Sequence, residues 1–326
     1  MPRVSVIIPV HNRVQAVGEA IDSVLGQTYR DFEVIVVDDA STDDTASALT
    51  HHRAPVRVVR RERSSGAGAA RNDGIRASTG EFIAFLDSDD LYSPRRLESA
   101  VDLLDAHREY GAVYADAVEL APTPGLPASR WVAARGGGRS GWILDSILAH
   151  DLVRTPTITA RRAVLDRVGL FDEDLPVGED SDLWWRIAVQ TQMGYTDEIV
   201  ATVRVSADSL SRKGSTVSQG WVRRSQKALR SLRVTARERR LLQARLYEDL
   251  RNHASDLDEE GHAWQARSAC LLAARTALAA GFWGSAFKSV AAATCGHEGA
   301  RWIRRLAGSD RPASGQGGSD RSLQAR

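Results

Sequence analysis

The chain has little sulfur: two cysteines, Cys270 and Cys295, among 326 residues. Two thiols build no disulfide framework, and no Cys-x-x-Cys pair offers a zinc site. Both are expected to be reduced thiols in a helical core, which goes with a reducing compartment. A charge bias is also missing. The 43 Lys and Arg against 42 Asp and Glu leave a net charge of +1, which speaks against nucleic acid as a partner of the whole chain. No apolar run reaches the ~18 residues of a spanning helix; the nearest candidate, 269–294, is interrupted by Arg275 and Lys288. The Met-Pro-Arg start leads straight into a strand-like run, without the segments of a signal peptide. The expectation is a cytoplasmic protein, resting at most on the inner face of a membrane. No Gly-x-Gly-x-x-Gly follows the first apolar run, where His11-Asn-Arg-Val-Gln15 stands instead; this argues against a nicotinamide-dependent oxidoreductase.

What is present is a rhythm. Short apolar runs at 4–9, 32–37, 56–59 and 82–86, with a weaker one at 112–115, read as strands buried on both faces. Between them, Ala16, Ala20 and Val24, and Leu97, Val101 and Leu104 after Ser93-Pro94, recur at helical spacing. That alternation predicts an α/β domain with a mainly parallel sheet flanked by helices. Residues 122–141, with Pro122, Pro124, Pro127 and Gly136-Gly137-Gly138, read as a long surface loop. Regular structure resumes at 142–149, with a strand near 155–160 and helices near 162–168 and 180–190. After Gly214 the strand signal ends. The expected division is 1–214 for the α/β domain, 215–308 for a helical appendage, and 309–326 for a Gly-, Ser- and Arg-rich tail with little to bury.

In an open parallel sheet, ligands bind beyond the carboxyl ends of the strands. The first run ends in Pro9-Val10-His11-Asn12-Arg13, the second in Asp38-Asp39-Ala40-Ser41, the fourth in Asp87-Ser88-Asp89-Asp90. Three aspartates within four residues repel unless paired. A divalent cation such as Mg²⁺ or Mn²⁺ relieves this, and residues i and i+2 of an extended segment point the same way. Asp39 can accept from an imide N–H of a nucleobase. The small residues of Ser65-Gly66-Ala67-Gly68 open a helix carrying Arg71, which can neutralise phosphate charge. Gly178-Glu179-Asp180 starts another helix. Its acids either stabilise the helix dipole or supply a general base for an acceptor hydroxyl. Trp184 and Trp185 follow, and core packing is expected for each.

Taken in order, five stretches resemble glycosyltransferase family 2, the large inverting family with the GT-A fold. They are Val6-Ile-Ile-Pro-Val-His-Asn-Arg13, Val36-Val-Asp-Asp-Ala-Ser41, Gly68-Ala-Ala-Arg-Asn-Asp-Gly74, Gly80-Glu-Phe-Ile-Ala-Phe-Leu-Asp-Ser-Asp-Asp90 and Gly178-Glu-Asp-Ser-Asp-Leu-Trp-Trp-Arg186. The resemblance spans about residues 1–212. It implies a nucleotide-sugar donor, UDP-linked by preference, and a divalent metal. It implies that Pro9, His11 and Asn12 line the base and ribose pocket, that Asp39 reads the base, and that Arg71 lies near the phosphates. Asp87 and Ser88 fall at the ribose and metal, Asp89 ligates the metal, and Asp180 is the general base. Many relatives carry a histidine where Ser206 stands here, so Ser206 or Asp208 is left to replace it. The Gln-x-x-Arg-Trp motif of processive relatives is absent, which favours single-sugar transfer.

The acceptor is open: a glycan, a lipid-linked or a small-molecule hydroxyl. From 223 to 245 there are nine basic residues and one acid, Glu238, with Val222, Leu229, Leu232 and Ala236 on one helical face. Such a segment suits either a solvated packed helix or a peripheral membrane contact through 222–246. A second copy of the chain is the remaining partner this reading admits. A sugar-nucleotide pyrophosphorylase lacks support, since no Gly-rich, Arg-containing loop stands near the N-terminus. A non-catalytic sugar-nucleotide-binding or scaffold protein of the same fold is the alternative from another class.

Overall fold

The first strand, β1 (Val4–Val10), is buried along its whole length. Its alternate side chains serve two cores. Val4, Val6, Ile8 and Val10 pack with Val17, Ala20, Ile21 and Val24 of α1 (Ala16–Leu25), while Ile7 faces Ile83 and Phe85 on the other side of the sheet. A strand covered on both faces has to be apolar throughout. The computed structural model describes residues 1–51, 56–120, 129–204, 214–286, 288–290 and 292–293. The start of the 122–141 loop, Ser206 and Asp208, Cys295 and the 309–326 tail lie outside the described residues.

β1 lies between β2 (Phe32–Asp38) and β4 (Phe82–Phe85), and β3 (Arg57–Arg60) flanks β2, all parallel. The mainly parallel sheet expected from the sequence holds in this half. The other half is mixed. β8 (Thr159–Arg161) runs antiparallel to both β4 and β6 (Tyr110–Leu120), so β6 points the same way as β4. β9 (Gln192–Arg204) runs parallel to β6, with β5 (Leu91–Tyr92) antiparallel to β9 and β7 (Ser129–Arg130) antiparallel to β6. The nine strands are ordered β3-β2-β1-β4-β8-β6-β9-β5, with β7 beside β6. The carboxyl ends of β1, β2, β4, β6 and β9 therefore share one edge.

The remaining helices are α2 (Thr45–Thr50), α3 (Ala67–Ala77), α4 (Arg96–Ala106), α5 (Leu144–His150), α6 (Arg162–Val168) and α7 (Glu179–Gln190). The strand expected near 155–160 is shorter, because 155–157 form a 3₁₀ turn before β8. The loop expected over 122–141 carries β7 and a second 3₁₀ turn, Ala133–Arg135. Trp184 and Trp185 are both buried, at 1% exposure.

The helical region begins with α8 (Ser215–Ser231), followed by α9 (Ala236–Glu259) and α10 (Ala263–Ala279). The continuous basic helix expected over 222–246 is instead broken between α8 and α9. Thr235 caps α9 by accepting from the Glu238 N–H, while the Glu238 carboxylate accepts from the Thr235 N–H, a reciprocal stop-and-start signal. Val222 is buried, Leu229 and Leu232 pack against the core, and Ala236 is exposed. Several of the nine basic residues are turned inward, Arg245 among them, which pairs with Asp249 at 3.2 Å. Lys227 pairs with Asp172 at 2.7 Å and Asp182 at 2.9 Å. Arg224 lies over the Trp185 ring, 4.4 Å from its centroid, and pairs with Asp249 of α9 at 3.2 Å. Cys270 on α10 is half-buried beside Ala254, Leu257, Ala266 and Ala269. Among the described residues, no helix is long and apolar enough to cross a membrane.

Arg224 and Asp249 are 1% and 2% exposed. Removing one partner leaves the other charge buried and unpaired, so Asp249→Ala is expected to cost about 3–5 kcal/mol in denaturant unfolding. A loss below about 1 kcal/mol would show that α8 and α9 are not held through this pair.

Candidate active site at the carboxyl edge of the sheet

β1 and β2 end in loops that hold each other. Asn12 takes a left-handed conformation, φ 52°, and its Oδ1 accepts from the Thr42 N–H at 2.8 Å. Its own N–H donates to Ser41 Oγ at 3.0 Å. His11 is exposed, with Nδ1 2.8 Å from the Asp39 carbonyl oxygen. Pro9 is buried within β1, opposite Val37. The Asp39 carboxylate is 4% exposed and crowded with donors. It accepts from Arg61 Nη1 at 2.6 Å, Ser64 Oγ at 2.8 Å, and the N–H groups of Ser65 at 3.1 Å and Gly66 at 2.9 Å. Burial works to raise its pKa, but the hydrogen bonds from Ser64, Arg61 and the loop main chain hold it below the usual value. In this state Asp39 shapes the loop that leads into α3.

The run after β4 is a tight turn and not the extended segment expected from Asp-x-Asp spacing. The Asp90 N–H closes on the Asp87 carbonyl at 3.0 Å, with Ser88 and Asp89 at the corner. Asp87 and Asp89 therefore have different neighbours. Asp87 Oδ1 accepts from Arg71 Nη2 at 2.6 Å. Asp90 Oδ1 accepts from the Arg204 N–H at 2.9 Å, and the Arg204 side chain donates to the Asp89 carbonyl and pairs with Glu19. The Asp89 carboxylate, 32% exposed, has Arg13 Nε at 4.0 Å. Burial and the neighbouring Asp87 push the pKa of both Asp89 and Asp90 up.

Arg71 connects this turn to α7. Its side chain is 5% exposed, and Nη1 donates to Glu179 Oε1 at 2.8 Å. The fork geometry of a guanidinium suits such a two-sided pairing. Close approach depends on Gly68: a Cβ there would lie 3.0 Å from Glu179 Cγ. The space beside this glycine is taken by the Glu179 side chain. Gly178, at φ 82°, turns the chain into α7, and a Cβ there would lie 3.2 Å from Arg224 Cδ. Burial and the adjacent Asp180 push the Glu179 carboxyl up to about 7, outweighing Arg71. Asp180 Oδ1 accepts from the Ser181 N–H at 2.6 Å, and Oδ2 accepts from Thr155 Oγ1 at 3.3 Å. Thr155 is placed by Arg96, buried at 1% exposure, which donates to the Pro156 carbonyl at 3.2 Å and the Ile158 carbonyl at 2.6 Å.

Among the described residues, no three His, Cys, Asp or Glu side chains converge as a metal-holding group. The oxygens present still fit a hard cation. Asp87 pairs with Arg71 and Asp90 accepts from the Arg204 N–H, which leaves Asp89, as exposed as Asp87 at 32%, the turn's weakly compensated carboxylate. A cation such as Mg²⁺ takes one or two carboxylates and completes its shell with phosphate oxygens and water.

Arg13, Thr155 and Arg204 belong to this site and were not singled out from sequence. Arg204 closes a polar strand beside the Ser206 motif, which was a usable signal; Thr155 sits in a segment that reads only as a strand.

Residues 5–164 match the family model described as glycosyl transferase family 2. An uncharacterised glycosyltransferase of Rickettsia bellii is 31% identical over 214 residues, which is 64% of this chain and 29% of that protein. The first five such relatives are each matched over less than two thirds of their own length. Among solved structures, S. aureus TarS in complex with UDP has a TM-score of 0.63 at 20% identity, covering 89% of this chain and 90% of that one; the likeness is one of fold. The mannosyltransferase PcManGT of Pyrobaculum calidifontis, in complex with GDP-Man and Mn²⁺, has a TM-score of 0.60 at 25% identity, covering 94% and 84%.

Because Glu179 holds its proton to about 7 in the folded protein against 4.5 when exposed, the native state binds more protons than the unfolded state in that window. This group's contribution to stability therefore falls as pH rises from about 4.5 to about 7. The stability of wild type relative to Glu179→Gln, wild type minus variant, followed by denaturant unfolding, is expected to fall over that range. A rise would overturn the assignment.

Proposed function

Since the chain belongs to glycosyltransferase family 2 through residues 5–164, we propose that it transfers a single sugar from a nucleoside diphosphate sugar to an acceptor hydroxyl, with inversion at the anomeric carbon. One observation carries this reading. Arg71 pairs with both Asp87, in the turn that carries Asp89, and Glu179, the neighbour of Asp180 at the start of α7, so the two acidic runs are tied by one guanidinium.

In this mechanism the donor lies across the ends of β1, β2 and β4. His11 and Asn12 flank the base and ribose, with Pro9 beneath them in the sheet. A uracil imide at Asp39 replaces one of that carboxylate's present donors. The Ser64 hydroxyl and the Arg61 guanidinium are the side-chain donors able to turn away without moving the main chain, and family resemblance makes a UDP-sugar the preferred donor. Asp89, with Asp87 and Ser88 beside it, would hold a divalent cation, Mn²⁺ or Mg²⁺, which would offset the charge of the leaving diphosphate. Arg71 is occupied by two carboxylates, so its part is to fix Asp87 and Glu179 relative to each other.

Asp180 takes the acceptor proton. The acceptor oxygen forms a bond to the anomeric carbon from one face. The bond from that carbon to the diphosphate oxygen breaks on the other face, and its electron pair leaves with the nucleotide. Ser181 and Thr155 keep the Asp180 carboxylate aimed by donating to it. Proton removal of this kind contributes about 10²–10⁴-fold.

Asp180→Asn is expected to bind a nucleoside diphosphate with Mn²⁺ as wild type does and to lose turnover by about 10²–10⁴-fold. Asp89→Ala is expected to lose the Mn²⁺-dependent part of binding. Calorimetry paired with a transfer assay reads both. Normal transfer by Asp180→Asn sinks the base assignment, and donor binding without turnover by wild type in any acceptor screen supports the non-catalytic alternative.

A further inference from the structure

A second charged feature lies at the same edge, outside the residues used so far. Trp131 is 9% exposed and is pinned by two hydrogen bonds. Its N–H donates to the Ala117 carbonyl near the end of β6 at 2.8 Å, and its indole N–H donates to the Asp151 carbonyl at 3.0 Å. Two guanidiniums stack on the indole. The Arg135 carbon is 3.1 Å from the ring centroid and the Arg154 carbon 3.5 Å. Two guanidiniums that near one centroid cannot share a face, so the ring is clamped between two cations.

Glu119, Asp151 and Asp116 are the carboxylates near this clamp, but they do not take up all of its donors. Arg154 pairs with Glu119, yet its buried Nε has no hydrogen-bond partner. Arg135 is half-buried, and its Nη1 donates to the Trp131 carbonyl at 3.0 Å. Among the described residues it pairs with no carboxylate, whereas its neighbour Arg130 takes both Asp116 at 3.0 Å and Asp197 at 2.5 Å. Holding one cation beside another in a half-buried place is unfavourable by itself. Stacking on an indole offsets part of that cost and leaves the outer N–H groups directed away from the ring. Such a fork is matched by a phosphate group.

Its position is specific. Arg154 directly precedes Thr155, whose hydroxyl donates to Asp180. Glu119 lies opposite Val203 in the β6–β9 register, one residue before Arg204, which holds the Asp89–Asp90 turn. The clamp is thus one residue in sequence from Thr155, the hydrogen-bond partner of the proposed base.

We propose that Arg135 and Arg154, clamped on Trp131, form an anion subsite that binds a phosphate group carried by the acceptor. The acceptor class is then a phosphate-bearing molecule whose reacting hydroxyl lies near that phosphate. This rests on the glycosyl-transfer reading for the word acceptor, whereas the anion site itself is measurable without it.

The probe is glycerol 1-phosphate, titrated into the full chain by calorimetry, with and without saturating UDP and Mn²⁺. Wild type is expected to bind the probe in both conditions. Arg135→Gln is expected to bind it at least tenfold more weakly, and Arg135→Lys, which keeps the charge but neither the fork nor the stack, to bind between the two. If UDP and Mn²⁺ displace the probe, the anion belongs to the donor crevice and the proposal falls. It falls equally if Arg135→Gln binds as wild type does, or if Arg135→Lys is as weak as Arg135→Gln, since packing on Trp131 would then be the cause. If UDP with Mn²⁺ does not bind at all, the glycosyl-transfer reading fails, and the comparison of wild type with Arg135→Gln in its absence still decides the anion site.

Discussion

A single buried guanidinium ties the site together. Arg71 reaches Asp87 at the end of β4 and Glu179 at the start of α7, residues from opposite halves of the sheet. Two carboxylates in so closed a place repel, and even with Arg71 between them Glu179 holds its proton up to about 7. The surroundings make the pairing rigid. The Arg71 guanidinium lies 5.4 Å from the Phe171 ring centroid, and Phe171 packs edge-on against Phe85 at 5.3 Å and Trp184 at 5.8 Å. Gly68 supplies the clearance. Arg71 is therefore a strut whose charge is spent within the protein, and the carboxylates it leaves free are the ones that face outward.

The same logic shapes the aspartate turn. Asp87 is held from one side by Arg71 and Asp90 from the other by the Arg204 main chain. Holding both ends of a four-residue turn fixes its corner, and the corner residue Asp89 is what remains to meet a ligand. The long β9 makes this work. It returns through the sheet beside β6 and delivers Arg204 to the edge where β4 ends. Sheet topology, more than local sequence, decides which acid is available.

Much of the first half of the domain was legible because strands buried on both faces must be apolar, and β1, β2 and β4 show that as unbroken runs. Helix α6 was legible at 162–168 for similar reasons of spacing. β9 was not: its burial is partial, its sequence includes Gln192, Thr196, Asp197 and Glu198, and its register against β6 shifts between Ala115 and Ala117. Neither alternation nor an apolar run survives such a bulge. The break between α8 and α9 was written in Thr235 and Glu238, a capping pair overlooked because the basic pattern around it ran on without pause. The identities of the site residues were visible one by one, but their pairings were not. Arg71 with Glu179 joins residues far apart in sequence, and only the fold brings them together; Arg135 and Arg154 lie nearer to Trp131 in sequence, but nothing in that stretch marks them as stacking on one ring.

The docking of α8 against α7 has a consequence for the order in which the protein is assembled. A chain leaving the ribosome N-terminus first has all the strands of the sheet once residue 204 has emerged. At that moment α7 is still incomplete on one side: the Trp185 ring lacks Arg224, and the buried Asp182 has Arg186 but not yet Lys227. The helix that carries Glu179 and Asp180 is finished only when α8 arrives. The nascent α/β domain thus acquires its sheet before it acquires a settled reactive edge, and a pause in synthesis between the two would leave a folded sheet with an unfinished α7.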